Sequence, residues 1–76
     1  MTVVRKLWRV PVIDEVIGDD DLIRRPNLGD IRDLILHYEV KIEETIESVD
    51  YFQVELSYDS SNESTLESQP NWTLLE

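Results

Sequence analysis

Residues 27–50, NLGDIRDLILHYEVKIEETIESVD, carry two hydrophobic periods at once. At helical spacing, Leu28, Ile31, Leu34, Ile35, Tyr38, Ile42, Ile46 and Val49 share one stripe, at steps of three and four. Asn27 stands where an N-cap belongs, and Asp30 supports the first turn. Between Leu36 and Glu43, however, apolar Leu36, Tyr38, Val40 and Ile42 alternate with His37, Glu39, Lys41 and Glu43, which is a strand pattern. The helical stripe is the longer of the two, and a strand would leave Ile46 and Val49 in a structureless loop. The spacing therefore predicts a long amphipathic helix over 28–48. Asp33, Glu39, Glu43, Glu44 and Glu47 are read as its acidic outer face.

On either side the pattern is extended. In residues 1–12, Val4, Trp8, Val10 and Val12 fit one face of a strand, with Lys6 the exception among them. Pro11 lacks an N–H and belongs at an edge or a strand end. Arg5, Lys6 and Arg9 flank Trp8, an arrangement that suits stacking and phosphate contact. The negative remainder of the chain favours the plainer reading: Trp8 is core, and the bases guard an edge or pair with the domain's own acids. Residues 13–26 read as a connection, with Val16 and Ile17 in a short second strand or a helical turn ended by Gly18. Asp19, Asp20 and Asp21 lack the ligand spacing of a calcium loop and read as a solvated bend.

Residues 51–58 give the clearest strand, Phe52, Val54, Leu56 and Tyr58 alternating with Gln53, Glu55 and Ser57. The expected fold is α+β: one long helix packed on a small, mainly antiparallel sheet of two or three strands, within a domain of residues 1–58. Residues 59–76 are Ser-rich and polar, the composition of a tail. They end in Trp72, Leu74 and Leu75, which should not float in water. These three either dock on the core as a last short strand or anchor a partner.

Charge narrows the function. Seventeen acids face seven bases, a net charge of −10. Through Arg32 the signs balance; from Asp33 onward Lys41 is the only base. Phosphate-backbone binding needs cations that release counterions, so direct nucleic-acid contact is disfavoured and a basic protein surface is the expected partner. No cysteine is present, which fits a reducing, cytoplasmic setting and rules out thiolate metal sites. No apolar run approaches the ~20 residues of a membrane-spanning helix. His37 is the only histidine, and Gly18 and Gly29 are the only glycines, so neither a histidine-based site nor a glycine-rich phosphate loop is in view. Glu39-Val40-Lys41 after Asp30 or Asp33 matches the acid…ExK pattern of metal-dependent nucleases, but that short pattern recurs by chance in acidic chains, and no basic groove accompanies it.

These observations lead to a non-enzymatic binding protein without cofactors. It is expected to be an inhibitor or antitoxin-like protein whose carboxylates stand in for phosphates on a partner's basic surface. The rival is an accessory subunit or homodimer, packing through the helix stripe and Trp72, Leu74 and Leu75.

Overall fold

Trp8, in the middle of the first strand, is fully buried, and the sheet is built outward from it. The computed structural model describes residues 2–76, and five strands account for most of them. Strand β1 (Val3–Ile17) pairs with β2 (Asp21–Pro26), with β4 (Val49–Asp59) and with the short β5 (Thr73–Leu74). Strand β3 (Ile35–Ile46) pairs with β4, giving the order β2-β1-β4-β3, antiparallel throughout. Alternation sets the faces. Val4, Trp8 and Val10 on β1 stand opposite Tyr58, Val54 and Phe52 on β4, and this side becomes the core.

No long helix covers that core. Three short pieces do: a 3₁₀ turn (Gly29–Leu34) placing Ile31, the helix α1 (Glu63–Glu67) placing Leu66, and the C-terminal segment placing Trp72 and Leu74. Trp72 packs edge-on against Trp8 with ring centroids 6.0 Å apart, and β5 pairs Leu74 with Trp8. A polar chain, buried at its Trp8 end and half-buried at Glu63 and Lys6, fixes the same corner. The Trp8 indole N–H donates to the Tyr58 hydroxyl at 3.3 Å, Tyr58 donates to Glu63 at 3.0 Å, and Lys6 pairs with Glu63 at 2.6 Å. Burial, reinforced by Glu63, pushes the Tyr58 phenol up to about 12, although the Trp8 hydrogen bond opposes the shift. The Lys6 and Tyr58 hydrogen bonds hold the Glu63 carboxyl below its usual range.

The α+β expectation is thus overturned: residues 35–46 form a strand, and 28–48 is not a helix. The helical stripe is real only at its start, where Leu28 and Ile31 are buried. Asn27 caps nothing; its N–H bonds the carbonyl of Pro11, and no side chain caps the turn that follows. Beyond Leu34 the β-branched and aromatic residues Ile35, Tyr38, Val40, Ile42 and Thr45 prefer the pleated surface. A helix would also stack Glu39 on Glu43 and Glu43 on Glu47, which repel.

Ile46 and Val49 do not float in a loop. They face each other across the two-residue turn Glu47-Ser48, whose φ angles of 49° and 73° are both left-handed. Two successive left-handed residues match the primed turn that closes a tight hairpin. Register shifts around Leu36 and Lys41 bend β3, so that Val40 lies opposite Val54 but Ile42 lies opposite Gln53, on the other face. Ile42, assigned to the core stripe by helical spacing, is 52% exposed.

Candidate interaction surface

The expected acidic face has no single location. Glu39 and Glu44 lie on the sheet face away from the core, opposite Glu55 and Tyr51, while Glu43 lies on the core side, opposite Phe52. Asp33 sits in the 3₁₀ turn and Glu47 in the β3–β4 turn. Three of the five are already engaged. Arg9 donates to Glu44 at 3.2 and 3.4 Å, and Gln53 adds a third bond at 3.0 Å. Gln53 first, and then Arg9, hold the Glu44 carboxyl below its usual range. Glu43 pairs with Arg24, and Lys41 pairs with Glu39 at 3.4 Å. Asp33 and Glu47 have no cation within pairing distance among the described residues.

The basic N-terminal cluster meets the domain's own acids: Arg5 with Glu55, Lys6 with Glu63 and Arg9 with Glu44. Arg9 also lies over the Tyr51 ring, 5.8 Å from its centre. These cations are therefore not poised for phosphates. Trp72 and Leu74 complete the core beside Trp8, and the Leu75 N–H bonds the Leu7 carbonyl at 2.8 Å. The last residues of the chain are built into its own packing.

Residues 13–26, expected as a connection, instead form a hairpin. Val12–Ile17 of β1 pair with β2 through the register Val12 to Pro26 and Ile17 to Asp21. Gly18 opens the turn with φ +70°, a conformation available cheaply only without a Cβ. The resulting two-stranded arm carries exposed Ile13, Val16, Ile17, Leu22 and Ile23; Val16 and Leu22 stand directly opposite each other at 66% and 60% exposure. Arg24 ties the arm down, pairing with Asp14 on β1, Glu43 on β3 and Asp50 on β4.

Antiparallel pairing puts the arm's turn and the Glu47-Ser48 turn at the same end of the sheet. Toward that end lie Asp19, Asp20 and Asp21 at the tip of the arm and Glu47 in the β3–β4 turn, all exposed and, among the described residues, none within pairing distance of a cation. Apolar anchors edged by free carboxylates form an arrangement suited to binding a complementary protein surface. The signal for it was the apolar pairs Val16-Ile17 and Leu22-Ile23 on either side of a Gly-Asp-Asp bend.

Glu39 and Lys41 do lie on a strand, but the described residues contain no group of three His, Cys, Asp or Glu side chains placed to hold a metal ion. No helix among them is long and apolar enough to cross a membrane. Compared with protein families, curated proteins and solved structures, the chain has no match.

Proposed function

We propose that this chain is a small, non-enzymatic binding protein, inhibitor-like or antitoxin-like, that occupies a basic, nucleic-acid-binding surface of a partner protein. The observation that carries this reading is the division of its carboxylates. Among the described residues, eight of the seventeen acids lie within pairing distance of the domain's own cations. Among the remainder, Asp19, Asp20, Asp21 and Glu47 share one end with the exposed apolar residues of the arm. The free carboxylates stand in for phosphates and steer the encounter, and Val16 and Leu22 supply the desolvated anchor. The absence of cysteine fits work in the reducing cytoplasm.

The test uses the whole chain as bait in lysate of its native host. The parent should retain a basic protein at low salt, release it at high salt and lose it to added duplex DNA. Asp19→Asn, Asp20→Asn and Asp21→Asn together should abolish that capture, and Val16→Ser with Leu22→Ser should weaken it while leaving its salt dependence intact. Capture unchanged by both variants would overturn the reading. A second reading, self-association, is favoured by the open edge of β3, where Leu36, Val40 and Ile42 are exposed, and opposed by the two irregularities that bend that edge. Sedimentation of the parent separates the two: a dimer dissociated by Val40→Lys supports the second.

A further inference from the structure

Six of the seven cations have a carboxylate within 4 Å; among the described residues Arg32 alone has none. In a chain with seventeen acids this is not for want of partners. Arg32 is exposed in the 3₁₀ turn and lines two adjoining clefts of about 210 and 370 Å³, which also share Leu28 and Tyr38. The smaller cleft lies where the base of the arm meets the turn. Ile13, Pro26 and Tyr38 give it apolar walls, and Arg25, Arg32 and Asn27 give it a polar side rich in donors. Glu15 already engages the Arg25 guanidinium at 2.6 Å, which leaves Arg32 as the fork available to a ligand. Ile13 and Tyr38 are each 39% exposed, which leaves apolar surface open beside the two guanidinium groups.

We propose that this cleft binds a single carboxylate carried on a compact apolar body. A guanidinium fork matches the planar, two-oxygen geometry of a carboxylate and holds it through two parallel hydrogen bonds. The Tyr38 ring and the Ile13 and Pro26 side chains desolvate the body of the ligand. Charge selects against larger anions: Asp30 and Asp33 flank Arg32 in the turn, and the chain's net charge of −10 repels phosphate dianions and polyphosphates more strongly than a monoanion. The site is separate from the acidic end of the arm, and its occupancy does not depend on the partner proposed above. Two sources share this ligand chemistry, a free aromatic acid and the C-terminal residue of another chain.

Amide and side-chain NMR titration of the full chain tests the assignment, with benzoate and N-acetylphenylalanine as the two probes. Each should give saturable shifts at Asn27, Gly29, Arg32 and Tyr38, and the tighter of the two identifies the source. Arg32→Gln should weaken binding about tenfold or more, the loss of a charge-assisted bond, whereas Lys41→Gln should not change it. The fold should tolerate Arg32→Gln, because this side chain holds no acid. Any one of four results would overturn the proposal: no saturation by either probe, binding unaltered in Arg32→Gln, equal binding of benzyl alcohol, or tighter binding of phenyl phosphate than of benzoate. Asp19→Asn, Asp20→Asn and Asp21→Asn should leave the titration unchanged, so failure here and failure of the arm's partner are read independently.

Discussion

Glu47 and Ser48 close the β3–β4 hairpin with φ angles of 49° and 73°, and neither residue is glycine or asparagine. Holding an ordinary L-residue in this region costs roughly 1–2 kcal/mol, a cost glycine avoids and asparagine reduces. Replacing Ser48 by glycine relieves one such residue, while the glycine loses more freedom on folding, leaving a gain of about 1 kcal/mol. Glu47→Asn adds a smaller increment of the same sign, since Asn-Gly is a preferred pair in this turn. In a domain of 76 residues, about 1 kcal/mol should raise the melting temperature by about 4–8 °C. Thermal melts of the parent, both single variants and the double variant by circular dichroism read this directly. If residues 28–48 were helical, Glu47→Asn would replace a good helix former with a poorer one and lower the melting temperature. A fall for Glu47→Asn, or no gain for the double variant, would refute the hairpin.

Four other outcomes follow from the packing. Leu56→Ala should cost about 2–5 kcal/mol because the side chain is fully buried, whereas Ile42→Ala on the exposed face of β3 should cost under about 1 kcal/mol, both measured by urea unfolding. The Glu63 carboxyl is held low by Lys6 and Tyr58, so its contribution is present above the ordinary glutamate range and lost as pH falls through its folded value; Glu63→Gln should flatten the acid limb of a stability–pH curve. Tyr58 is shifted the other way, from 10.0 to about 12, so stability should be lost as pH rises across that interval, and Tyr58→Phe should remove the loss. Arg24→Gln leaves Asp14, Glu43 and Asp50 facing one another without their cation; it should lower the melting temperature, more at low salt than at high, because the carboxylates' repulsion is screened by salt.

Alternation exposed part of this fold to direct reading. Phe52, Val54, Leu56 and Tyr58 announce β4 because Gln53, Glu55 and Ser57 between them are polar or charged, and Trp8 with Val4 and Val10 announces the core. The hairpin at 47–48 was hidden because its turn has none of the Asn-Gly or Asp-Gly chemistry that normally marks one. Without that mark, Ile46 and Val49 extend a helical stripe by coincidence of spacing. The bulges in β3 added to the ambiguity: Ile42 is in phase with Tyr38 and Val40 in the sequence, but the register shift carries it to the opposite face. For the candidate surface, excess acid was legible as composition, but its distribution was not. Glu44 meets Arg9 and Glu43 meets Arg24 only through contacts across strands far apart in sequence. Arg32 became conspicuous only once every other cation had found a carboxylate.

The register of residues 35–46 on β4 places Glu44 against Arg9, brings Glu43 to Arg24 and closes the turn at Glu47-Ser48. Nuclear Overhauser contacts in the labelled chain measure it most directly. Cross-strand contacts should link Val40 to Val54, Glu44 to Tyr51 and Ile46 to Val49, following the register of the pairing. Sequential amide–amide contacts through 35–46, with medium-range contacts three and four residues apart and no cross-strand contacts to β4, would contradict it.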